Sequence, residues 1–151
     1  MPFVLMIHML CAVALLGAIT HQAFGVLAPV RAPAGSFFTR YRAVNGAHYV
    51  NAIVVLYVVT ACLGMIVYPD YRIDARVVME QLHFFKRVGS FELKENLIAL
   101  GLGLLPAYWW AWQPAQYDKR LARQGLTVVL ALFVWYAFLI GHFLVNTRGI
   151  E

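Results

Sequence analysis

The sequence predicts an all-α integral membrane protein: an up-down-up-down four-helix bundle with an amphipathic interfacial helix between the second and third spans. Two observations carry most of that reading. Hydrophobic residues make up 62% of the 151-residue chain and charged residues only 13%, a balance outside that of soluble domains. The apolar residues also fall into four long runs, at about 3–28, 46–68, 91–112 and 121–146, each near the roughly 20 residues a helix needs to cross hydrocarbon. The short stretches between them leave no room for a water-soluble unit, so residues 1–151 read as one membrane domain.

The first run, FVLMIHMLCAVALLGAITHQAFGVLA, stops at Pro29, and VRAPAGSFFTRYRAVNG after it reads as a loop. Ala32-Pro33-Ala34 has the look of a signal-peptide cleavage site, but there is no basic leader and the apolar run is too long, so the first helix is retained. The second run, from Gly46 to Tyr68, ends at the Pro69-Asp70 breaker. In IDARVVMEQLHFFKRV, Ile73, Val77, Val78, Leu82, Phe85 and Val88 share one side at helical spacing, and Arg76, Glu80, His83 and Arg87 share the other. That pattern predicts a helix over 73–88 lying along the bilayer surface. The third run is kinked by Pro106 and carries Ala99, Gly103 and Ala107 as a small-residue stripe suited to close packing. Tyr108, Trp109, Trp110, Trp112 and Tyr117 at its end, with Tyr41 and Tyr49 at the start of the second run, form an aromatic belt at one interface.

The formal net charge is +5, but the basic residues are scattered among the loops and line no aromatic-rich polar face, which excludes a nucleic-acid role. Loops one and three carry Arg31, Arg40, Arg42, Lys119, Arg120 and Arg123 against the lone acid Asp118. Short, densely basic loops face the cytoplasm, which puts both termini and the 69–90 segment on the other side of a cell inner or cytoplasmic membrane. Cys11 and Cys62 lie inside apolar runs and read as small buried hydrophobes.

Four of the five histidines fall at two matched depths once the runs are folded antiparallel: His8 is level with His142, and His21 with His48. A buried imidazole in a lipid-facing bundle is costly unless it binds something, and a neutral imidazole is a good axial ligand for haem iron. The step from His8 to His21 separates the rings by roughly 20 Å along the axis and by roughly 140° around it. His8 is therefore expected to face the fourth helix and His21 the second. The competing reading is four ordinary packing or interfacial histidines.

On these four histidines and the four-span plan, the chain resembles in architecture the four-helix transmembrane b-type cytochromes. The resemblance implies one or two haems b, on His8 with His142 ahead of His21 with His48, and electron exchange with quinone. No local motif accompanies it, and His48 lies barely inside the second run.

Phe91-Glu92-Leu93-Lys94-Glu95-Asn96 opens the third run behind Gly89-Ser90. Ser90 suits a helix cap, and Glu92 and Glu95 complement the positive helix end. Lys94, Glu95 and Asn96 also sit at membrane depth on the side of His8, His142 and His83, where a carboxylate can take up protons or face a quinone headgroup. His83 itself, beside Glu80 and Arg87, reads as a solvated surface residue. No Walker loop, HExxH, CxxC, CxxCH or nucleophile elbow is present. Three functions follow: electron transfer through b-type haem with quinone, a non-catalytic subunit anchoring a larger membrane complex, and a small membrane enzyme or transporter using Glu92, Lys94 and Glu95.

Overall fold

A computed structural model describes residues 2–28, 36, 37, 40, 43–116 and 118–147, all helix and turn with no strand among them. Arg31, Arg42, Tyr41, Tyr117 and the 32–34 segment lie outside the described residues. Helix α1 spans Pro2–Leu27. A 3-10 turn over Gly46–Tyr49, capped by the Asn45 side chain accepting from the Ala47 N–H at 3.0 Å, leads into α2, Val50–Asp70. A π-helical segment, Tyr71–Arg76, joins α2 to the short α3, Val77–Gln81. Helix α4 spans Phe85–Ala111, and after a 3-10 turn at Pro114–Gln116 the chain closes with α5, Arg120–Thr147.

The helix expected over 73–88 is not a separate element. Residues 73–81 continue the backbone of α2, and 85–88 already belong to α4, so the two arms form a tight hairpin. Pro69 removes one N–H from the ladder, and the chain answers by widening its register into the π segment rather than stopping. Packing stabilises that choice: Tyr71 and Met79 on one arm bury against Val88 and Phe91 on the other, a small core of its own. The chain reverses at His83, whose φ of 59° is left-handed and costs about 1 kcal/mol for a residue other than glycine. Of the apolar side expected to dip into lipid, only Val88 is buried, while Ile73 is 70% and Phe85 62% exposed.

Helix α1 packs against α2 and α5, and α4 packs against α5 and α2. The bonds from Gln22 to Gly46 and from His8 to Thr60 set α1 and α2 antiparallel, and those from Gln124 to Val26 and Trp135 to Thr20 do the same for α1 and α5. The main core joins Leu15, Ile19, Ile53, Tyr57, Tyr108 and Leu130. Close helix approach occurs at Gly101, where any Cβ would collide with the Tyr57 hydroxyl, and not at Ala99, Gly103 and Ala107, which are exposed.

Among the described residues, three stretches are long and apolar enough to cross a membrane: α1, the Gly46–Gln81 run, and Arg120–Phe143 of α5. Many of their large apolar side chains point outward, among them Phe3, Leu10, Phe24, Met65, Leu132 and Phe143. Helix α4 is 27 residues, about 40 Å, but its first turns hold Lys86, Arg87, Glu92, Lys94 and Glu95.

Candidate functional site

The start of α1, the second half of α2 with its π extension, and the start of α4 bring ionisable groups together at one end of the molecule. On α1, His8 Nδ1 lies 3.1 Å from the Thr60 carbonyl oxygen of α2. A carbonyl can only accept, so Nδ1 carries the proton and Nε2 keeps its lone pair. Gly64 admits the ring: a Cβ there would stand 3.3 Å from His8 Cε1. His8 therefore faces α2, a correction to its expected direction toward the fourth helix.

Helix α4 supplies Lys94, whose ammonium sits 3.8 Å from the centre of the Phe91 ring. Tyr71, carried in by the π segment, stacks on that same ring at 3.6 Å and 19°. Two groups so close cannot share one face, so Phe91 is held between them. Tyr68 lies parallel to Phe91 at 6.4 Å. Tyr71 is buried, 8% exposed, and its hydroxyl has no hydrogen-bond partner among the described residues; the buried Thr60 hydroxyl lacks one as well. Arg76 bridges the hairpin, reaching Glu80 at 2.7 Å and Glu92 at 3.1 Å. The charge of Lys94 acts on His8 and Glu95, and those of Arg76, Glu95 and Glu92 act on Tyr71. These residues form one electrostatic neighbourhood.

The α1–α5 register, carried along both helices, sets His142 level with His8, as the matched depths required. Its side chain is exposed and stacks on Phe138 at 6.5 Å. His21 is buried with its ring tilted against Tyr49 at 5.1 Å, while the neighbouring His48 is exposed in the 3-10 turn. The two levels hold, but the four histidines occupy four different settings. Asn96 is exposed, and His83 is the exposed turn residue of the hairpin. Among the described residues, no three His, Cys, Asp or Glu side chains gather as a metal site. Tyr68, Tyr71, Phe91 and Arg76 are the site residues that sequence reasoning missed; the aromatic pair flanking Pro69 was the available signal.

The opposite end contains a second polar cluster, in which the Gln22, Tyr108, Trp112 and Thr127 side chains bond to each other and to backbone carbonyls. Gln22 is enclosed, donates to the Gly46 carbonyl at 2.8 Å and accepts from the Tyr108 hydroxyl at 2.6 Å. Trp112 donates to the Thr127 hydroxyl at 3.1 Å, which donates in turn to the Arg123 carbonyl at 2.7 Å. Tyr108 and Trp112 thus belong to the core, and among the described members of the expected aromatic belt Trp109 and Trp110 are exposed. Against protein-family models, curated proteins and solved structures, the chain finds no match.

Proposed function

We propose that the chain is a membrane electron-transfer protein that exchanges electrons with quinone. In this reading α1, α2, α4 and α5 cross the bilayer up and down as four spans, both termini lie outside, and quinone is met where His8, Lys94 and Glu95 converge. One observation carries the reading: α1 contributes a base and α4 a cation and carboxylates at one end of the molecule, beside the stacked rings of Tyr71 and Phe91. Ionisable groups at membrane depth are costly to keep and mark proton or substrate sites. The charged first turns of α4 would lie at the boundary, with Lys94 reaching along the Phe91 ring.

Haem b suits the same reading through His8. An imidazole whose Nδ1–H is held by a backbone carbonyl presents Nε2 as a ligand, which is how iron-bound histidines are oriented. His142, at the same level on α5 although His8 faces α2, is the assigned partner, and His21 with His48 the second pair. A bound haem would supply one-electron transfer. The test is the visible spectrum of protein purified with haem supplied. A Soret band is expected, and His8→Ala should abolish it, or about halve it if two haems bind. Colourless wild-type protein would overturn the haem assignment.

The hairpin favours a second reading, a subunit of a larger membrane complex. Ile73, Val77, Leu82 and Phe85 leave its outer side apolar and exposed, a surface that a partner subunit would cover. Co-purification of a stoichiometric partner, with no pigment, would select this reading.

A further inference from the structure

The chain pairs the hydroxyls of its other well-buried tyrosines. Tyr57 donates to the Ile98 carbonyl at 3.3 Å and Tyr108 donates to Gln22 at 2.6 Å. Tyr71 is the exception, and an enclosed hydroxyl with no partner destabilises a fold. Its position is specified by structure rather than left over: the π register turns it inward, and the Phe91 ring fixes its plane at 3.6 Å. π segments of this kind recur at functional sites. On the far face of that ring, Lys94 donates no hydrogen bond to any described residue and forms no ion pair within 4.0 Å. Two donors without acceptors therefore flank one aromatic ring.

The surrounding charge narrows what they serve. Arg76 and Lys94 face three carboxylates, Glu80, Glu92 and Glu95, so the neighbourhood is net negative with all of them ionised and disfavours a phosphate or carboxylate ligand. A neutral oxygen meets no such repulsion. The groups on hand also include acceptors, the His8 Nε2 lone pair and Glu95, so a ligand whose oxygens are carbonyls in one state and hydroxyls in another finds complementary partners in both. Met65 and Ile66, which follow Gly64, and Leu93, which precedes Lys94, are exposed apolar residues against which a tail could lie.

We propose that Tyr71 and Lys94 are the hydrogen-bond donors of a quinone-headgroup site, with His8 Nε2 and Glu95 as acceptors for the quinol form. This rests on the quinone reading given above and adds Tyr71 as a ligand-contacting residue.

The experiment is equilibrium binding of a benzoquinone and a naphthoquinone, each with one isoprene unit, to the full-length chain in detergent. Saturable binding by wild-type protein is expected. Tyr71→Phe, which keeps the ring and deletes only the hydroxyl, should weaken it about tenfold, the worth of one hydrogen bond, and Lys94→Met at least as much. Trp109→Phe at the opposite end should leave it unchanged. Thermal melting provides the second readout: Tyr71→Phe should melt at or above the wild-type temperature, because it removes an unsatisfied group. Wild-type binding that Tyr71→Phe does not alter would overturn the role of Tyr71 and leave the quinone reading standing. Absence of wild-type binding to both quinones would overturn the quinone reading itself. Binding of dihexanoyl phosphatidylglycerol at the same site, weakened by the same variants, would overturn the ligand class.

Discussion

Tyr108 and Tyr71 are both buried tyrosines close to the start or end of an apolar run, yet one hydroxyl is bonded to Gln22 at 2.6 Å and the other to nothing described. The same contrast repeats in the threonines. Thr127 accepts from Trp112 and donates to a carbonyl, while Thr60 keeps its hydroxyl buried and unpartnered and offers only its backbone oxygen, to His8. At one end Gln22, Tyr108, Trp112 and Thr127 thus bond to each other and to carbonyls, which ties α1, α4 and α5 to the turn that opens α2. At the other, beside the paired Arg76 and His8, the Tyr71 and Thr60 hydroxyls stay buried with no hydrogen-bond partner among the described residues, a condition that lowers stability and suits binding.

Substitutions that exchange a polar group for a shape mimic break the comparison most directly. The largest effect belongs to the packing between the ends. Gly101→Ala drives a Cβ to 2.6 Å from Tyr57 Cζ, displaces an enclosed ring and loses its bond to Ile98, for a cost of about 3 kcal/mol. Gln22→Leu comes next. It strands both the Tyr108 hydroxyl and the Gly46 carbonyl and should destabilise by about 2 kcal/mol. Thr127→Val, which leaves the Trp112 N–H without its acceptor, should cost about 1 kcal/mol. The smallest effect is the most telling: Thr60→Val, the same exchange at the other end, should be neutral or slightly stabilising, because the hydroxyl it removes has no partner to strand. Denaturation in detergent, followed by circular dichroism, ranks all four. Equal losses for the two threonine variants would erase the distinction between the ends.

Depth was legible in the sequence, because helical rise is fixed: counting residues set His8 level with His142 and His21 with His48, and the hydrogen-bonded registers agree. Azimuth was not. Which neighbour a side chain faces depends on local openings such as Gly64, which admits His8 to α2 and has no periodic signature. The all-helical class was equally plain from composition, whereas Pro69 misled, since a proline reads as a stop unless the packing of Tyr71 and Met79 against Val88 and Phe91 is known. The apolar spacing over 73–88 runs across the reversal at His83, and a repeat computed along the chain cannot register that the two halves point in opposite directions. Lys94 and Glu95 were found because charge in an apolar run is conspicuous. Tyr71 was not, since an aromatic residue beside a breaker looks like an anchor.

The π segment from Tyr71 to Arg76 contains one residue more than an α-helical path over the same distance needs. Deleting one residue there lets an ordinary α-helix cover the same distance, so the α3 arm keeps nearly its place and phase in the hairpin. The segment thus uncouples chain length from the angular phase of the hairpin, which its own packing of Tyr71 and Met79 against Val88 and Phe91 sets. A one-residue deletion at this point, elsewhere ruinous to a helix pair, is absorbed by the change from π to α while the backbone stays hydrogen-bonded.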